Sequence, residues 1–193
     1  MDAIFTLPYS EYAVADLLTK NFSPSHGYSV FVPVSRTEKG IDLVLTQRVA
    51  GETRCVTFQV KSSRTYPGTP AKREGAARRF KYYTWLNSFK VPEQADFIVL
   101  FGLLPPDDLT GRKLTSKFWQ SHVMLFSQVE MKTFMDGVKT KKTQAPDSKF
   151  GFGFDNSQEA FLTRGNACGD RTDYSDHIFK KQLSSVRNVL SCK

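Results

Sequence analysis

Apolar and polar residues alternate through Tyr28 to Val34, Gly40 to Gln47 and Arg54 to Lys61, a period of two that predicts three β-strands. Ala50-Gly51-Glu52 lies between the last two and predicts a hairpin turn. Ahead of them, from about Pro8 to Phe22, the period is helical: Val14, Leu17 and Leu18 form a stripe, Pro8 suits the first turn, and Asn21 to Gly27 supplies stop signals. Behind them, Ser62 to Lys72 is rich in turn residues, and Arg73 to Phe89 has helical spacing. Phe97 to Phe101 is a continuous apolar run, as a central strand covered on both faces requires. His122 to Phe126 predicts a further strand and Gln128 to Met135 a short helix. The expected architecture is α/β, a mixed sheet flanked by helices on both faces. Residues 1–137 form the core and 138–193 a C-terminal extension, packed on the core or used for dimer or substrate contacts. The extension is rich in Lys, Gly, Asn and Asp, with a turn expected at Gly151-Phe152-Gly153 and a helix near His177 to Leu190.

Four polar residues interrupt this pattern. Asp42 stands at the start of an otherwise apolar strand, Ile41 to Leu45. In Thr57-Phe58-Gln59-Val60-Lys61, Phe58 and Val60 share the core face, so Gln59 and Lys61 stand together on the other, next to Asp42. A carboxylate, an amide oxygen and an ammonium on neighbouring strands suit a divalent metal held against a phosphate. Glu11 is in register with Val14, Leu18 and Phe22, on the helix face that packs inward. Carboxylates are seldom buried without a partner; a first-turn Glu complementing the helix dipole is the plainer account of it.

The formal charge of +8 and the pI near 9.4 favour a polyanionic partner, nucleic acid before an acidic membrane surface. Cys55, Cys168 and Cys192 are too scattered for a disulfide framework, and with His26, His122 and His177 they make no zinc spacing. No stretch has transmembrane length and Met1-Asp2-Ala3 opens no signal sequence, so a cytoplasmic protein without a membrane partner is expected.

Glu11 on the first helix, Asp42 at a strand start and Gln59-Val60-Lys61 on the next strand resemble the PD-(D/E)XK nuclease superfamily. The order of elements over roughly residues 5 to 130 is similar to that family's restriction-endonuclease-like αβββαβ core. Phe58-Gln59-Val60-Lys61 resembles the Mrr-type branch, in which Gln stands where an acidic residue is commoner. The resemblance implies a Mg²⁺-dependent DNA endonuclease (Mn²⁺ being an alternative ion), acting in restriction, defence or repair and using no small-molecule cofactor. Asp42 would bridge the metal, Gln59 and Glu11 would add oxygen ligands, and Lys61 would stabilise charge on the phosphate and position the attacking water. A Holliday-junction-resolvase-like enzyme is an alternative on the same fold. So is a catalytically silent nucleic-acid-binding module, since Gln59 removes one negative charge from the site.

Ser63, Arg64, Lys72, Arg73, Arg78 and Arg79 follow the motif and could neutralise several DNA phosphates. Among them, Phe80, Tyr82, Tyr83 and Trp85 either stack on bases or pack a helix onto the sheet, and the spacing favours packing. Symmetric cleavage of duplex DNA would imply a homodimer.

Overall fold

The computed structural model describes residues 9–33, 40–68, 80–104, 120–155, 158–166 and 172–192. Helix α1 (Tyr9–Asn21) buries Val14 and Leu18 completely, with Phe22 just beyond its end. Strands β1 (Tyr28–Phe31), β2 (Leu43–Val49) and β3 (Glu52–Pro67) follow as an antiparallel meander. Ala50 (φ 51°) and Gly51 (φ 88°) both take positive φ at the β2–β3 hairpin, the conformation a tight two-residue turn demands. Strand β3 is sixteen residues long and changes partners along its length. Its first half pairs with β2, and residues 58–64 pair in parallel with β5 (Phe97–Leu104). Residues 65–67 then pair antiparallel with β4 (Tyr82–Asn87).

The chain is mixed α/β. Strand β6 (Gln120–Ser127) completes the first group of strands, antiparallel to β5, and leads into α2 (Gln128–Asp136). Ser127 caps that helix: its hydroxyl accepts from the Glu130 N–H while the Glu130 carboxylate accepts from the Ser127 N–H. The C-terminal residues extend the fold. Strands β7 (Lys149–Phe154) and β8 (Phe161–Arg164) pair in series with β4, and α3 (Leu183–Cys192) follows two short 3₁₀ turns.

Two hydrophobic clusters lie on opposite sides of β3 and β5. One holds Phe58, Val60, Val99 and Phe101 against α1 and α3. The other holds Ile98, Leu100, Met124 and Phe126 against β4, β7 and α2. Phe97 to Phe101 is thus covered on both faces, as its unbroken apolar run requires. Thr65 and Thr84 share a buried hydroxyl–hydroxyl hydrogen bond of 2.6 Å where β3 meets β4. Gly102 faces that pair so closely that a Cβ there would lie 2.5 Å from the Thr84 hydroxyl.

Two expectations are corrected. Residues 82–87, expected within a helix, form a strand, and 71–79 lie outside the described residues. Phe80, Tyr82, Thr84 and Leu86 recur with a period of two, and aromatic and Thr side chains suit a pleated surface. On β4, Thr84 and Leu86 are buried while Trp85 and Asn87 are exposed. Helices flank both faces of the first strands, as expected: α1 and α3 lie on one, and α2 together with β4 and β7 on the other. Gly151-Phe152-Gly153, expected as a turn, lies in β7, where the Phe residues face the core. Period-two alternation of Phe with Gly is a strand pattern in which one face carries no side chains.

His122 on β6 lies between the two groups of strands, stacked on Phe154 at 4.4 Å and tilted against Tyr82 at 5.1 Å. Its Nδ1 is buried without a partner among the described residues, and burial lowers its pKa from 6.5 to about 4. The folded protein therefore holds the neutral imidazole while the unfolded chain takes up a proton below pH 6.5. Stability attributable to this group is full above that pH and is lost as the pH falls towards about 4, by up to about 3 kcal/mol. Thermal melts of wild type and His122→Phe between about pH 7 and pH 4.5 should show the shallower decline in the variant.

Candidate active site

The feature that sets the site is the point at which β2 leaves β3. The last register pair is Leu43 with Phe58, and the Asp42 N–H still donates to the Phe58 carbonyl at 2.8 Å. Two residues further along β3, a side chain replaces the strand: Asp42 Oδ2 accepts the Val60 N–H at 2.7 Å. Asp42 is thereby fixed against β3 through a single oxygen, with its carboxylate beside the Gln59–Lys61 segment.

Gln59 and Lys61 project from the face opposite Phe58 and Val60, as strand alternation demands. Gln59 is 8% exposed, and its Oε1 is buried with no hydrogen-bond partner among the described residues. A buried amide oxygen without a donor is costly, and a cation or a water at that oxygen would remove the cost. Lys61 is half-buried, with Nζ 5.2 Å from the centroid of the Phe89 ring. The connection between β4 and β5 covers the same face. The Thr57 hydroxyl donates to the Gln94 carbonyl at 2.7 Å, and Asp96 Oδ2 accepts the Thr57 N–H at 2.8 Å.

Glu11 reaches the sheet from the other side. It is 6% exposed on the first turn of α1, whose Val14 and Leu18 pack in the same cluster as Phe58 and Val60. Strand β3 therefore lies between that helix and the face bearing Gln59 and Lys61. A metal shared by Glu11 and Asp42 would have to sit at the edge where β2 departs, since only there do both faces meet. Among the described residues no three His, Cys, Asp or Glu side chains gather as a metal cluster. Of the residues expected as ligands, Asp42 and Gln59 are the two that lie side by side along β3. They fit Mg²⁺, a hard cation that keeps several waters and takes few protein ligands. No protein-family model matches the chain, and no curated protein matches it.

Of the residues expected at a nucleic-acid surface, Ser63 and Arg64 lie just beyond Lys61. The Ser63 hydroxyl donates to the Trp85 carbonyl at 2.6 Å, tying β3 to β4. The Arg64 guanidinium stands 5.4 Å from the centroid of the Tyr66 ring. Lys72, Arg73, Arg78 and Arg79 lie outside the described residues. Sequence reasoning missed the setting of Lys61. It lines a cleft of about 660 Å³ together with Tyr66, Trp85, Phe89, Lys149 and Arg164. Lys149 and Arg164 come from β7 and β8, and only the pairing of these strands with β4 brings them near the motif. Among the described residues no helix is long and apolar enough to cross a membrane.

Proposed function

We propose that the chain is a Mg²⁺-dependent DNA endonuclease of the PD-(D/E)XK kind, hydrolysing phosphodiester bonds at the Asp42–Gln59–Lys61 cluster. The observation that carries this reading is the Asp42 carboxylate docked on the Val60 N–H, beside a buried and unpartnered Gln59 Oε1. The parallel pairing of β3 with β5, after an antiparallel meander that follows a helix, supports the same assignment.

In this reading Asp42 and Gln59 would hold the ion, which would supply Lewis-acid chemistry for phosphodiester hydrolysis. Asp42 supplies the negative charge, and its bond to Val60 fixes the direction in which the carboxylate faces. Gln59 adds an oxygen without a second charge, so affinity for the ion should be modest. Lys61 places an ammonium two residues along the same face, where it can bind a phosphate oxygen and favour the charge that builds during the reaction. Glu11 contributes only at the β2–β3 edge.

A silent nucleic-acid-binding module is the second reading, favoured by the neutral amide that Gln59 places beside Asp42 where a second carboxylate would hold an ion more tightly. DNA incubated with wild type in Mg²⁺ or EDTA separates the two. The nuclease reading predicts cutting that EDTA abolishes and that Lys61→Ala slows by about a hundredfold or more. Binding without cutting, unchanged by EDTA, supports the silent module.

A further inference from the structure

The outward face of β4 and β7 carries a row of aromatic rings. Tyr83 and Trp85 lie on it with their rings nearly parallel, 5.6 Å between centroids and 12° between planes. Tyr66 at the end of β3 continues the row, 5.6 Å from Trp85. Trp85 is 40% exposed and Tyr66 42%, large aromatic surfaces left open to solvent. Beside them β7 presents glycine. At Gly151 a Cβ would lie 2.2 Å from the Trp85 ring, so the indole packs directly on bare backbone. The alternation of Phe and Gly in β7 thus serves both faces: the Phe side chains fill the core, and Gly151 and Gly153 make room for the rings of Trp85 and Phe80.

The row is bordered by positive charge. The cleft that holds Tyr66 and Trp85 is also lined by Lys61, Lys149 and Arg164, and none of its described lining residues is acidic. Arg64 adds its guanidinium over Tyr66. Arg164 is held by two hydrogen bonds to Asp147, of 3.0 and 3.1 Å, which fix its plane and offset part of its charge. Flat aromatic faces need partners with an accessible π-face, and the cationic border selects a polyanion. A duplex hides its base faces in its own stack and offers phosphates alone. An unpaired strand offers both.

We infer that this face binds single-stranded nucleic acid, with bases stacked on Trp85 and Tyr66 and the backbone drawn along Lys149 towards Lys61. Lys61 belongs to both surfaces, so a strand lying here enters the proposed hydrolytic site from the β4–β7 side. The inference rests on the nuclease reading for the fate of the bound strand, not for the binding itself. It also defines the substrate class: a strand with at least a few unpaired nucleotides, such as a gap, flap or single-stranded end.

The test is fluorescence anisotropy in EDTA, with a labelled oligo(dT) of about 15 nucleotides, an oligo(U) of equal length and a blunt hairpin duplex. Wild type should bind oligo(dT) more tightly than the duplex, and oligo(U) shows whether the sugar matters. Trp85→Leu should weaken oligo(dT) binding about fivefold or more while changing duplex binding less than about twofold; Trp85→Phe should retain most of it. Equal affinity for oligo(dT) and duplex, with Trp85→Leu altering neither, overturns the inference. The chain has two tryptophans, so a Trp119→Phe protein leaves Trp85 as the sole indole. Quenching of its emission by oligo(dT) reports stacking without disturbing the surface, and its absence also counts against the platform. If no protein cuts DNA in Mg²⁺ while this binding pattern holds, the nuclease reading fails and the platform stands.

Discussion

Asp42→Asn should abolish metal-dependent cutting, by about a thousandfold or more, while leaving the melting temperature close to wild type. The two effects separate because Asp42 has two tasks. Its Oδ2 accepts the Val60 N–H at 2.7 Å, and an asparagine carbonyl can accept the same hydrogen bond. The negative charge that would hold the metal cannot be replaced by an amide, and losing about 4 kcal/mol of electrostatic stabilisation corresponds to that rate factor. Asp42→Ala should lose the activity equally and destabilise the fold as well, by about 1–3 kcal/mol, because the Val60 N–H is left without its acceptor. Paired measurements of cleavage and thermal unfolding on the two variants check this. A full loss of activity in Ala with near-normal activity in Asn would mean that Asp42 acts only as a strand-end cap.

Phe152→Ala should be the most destabilising of the substitutions considered, at about 3–5 kcal/mol. Phe152 is 1% exposed and lies within ring-contact distance of Phe126, Phe134, Phe150 and Tyr174. Those partners come from β6, α2, β7 and the segment before α3, so the cavity would open where the extension meets the rest of the chain. For a domain of this size the expected fall in melting temperature is on the order of 10 °C, through one cooperative transition. Calorimetry of wild type and variant reads both quantities. A fall of less than about 2 °C, or a second transition that alone moves, would show that β7 is no part of the common core.

Much of the first half of the chain was legible because its periods are unambiguous. Val14, Leu18 and Phe22 recur as one helical face, and Phe58 and Val60 alternate with Gln59 and Lys61, which is the arrangement the structure has. Ala50-Gly51 marked a hairpin because both residues must take positive φ. The stretch from Tyr82 to Phe89 was misread because the spacing of Tyr82 and Leu86 satisfies both periods. Only its pairing with β3 and β7, contacts distant in sequence, decides for a strand. Gly151 to Phe154 was misread because Gly is a frequent turn residue, yet here its missing side chain accommodates Trp85.

The candidate site divides in the same way. Gln59 and Lys61 sit on one strand, so spacing alone could place them on one face, and Asp42 stands just before the strand that pairs with it. Glu11 comes from a helix, and no local pattern says from which side of the sheet that helix approaches. The aromatic and cationic cleft draws on β3, β4, β7 and β8, and so could not be assembled from sequence neighbours. The one available signal was the period-two exposure of Tyr83 and Trp85 opposite the glycines of β7.

The most direct measurement is a Mn²⁺ titration followed by electron paramagnetic resonance, on wild type, Asp42→Asn and Gln59→Leu, with and without an uncleavable phosphorothioate oligonucleotide. If Asp42 and the buried Gln59 Oε1 hold the ion, wild type should show one saturable site that tightens when the oligonucleotide is present. Asp42→Asn should lose it, and Gln59→Leu, which replaces the unpartnered amide with an apolar group of similar length, should weaken it while folding normally. Saturable binding that is identical in all three proteins, or no saturable binding in wild type under either condition, would contradict the metal site on which the proposed function rests.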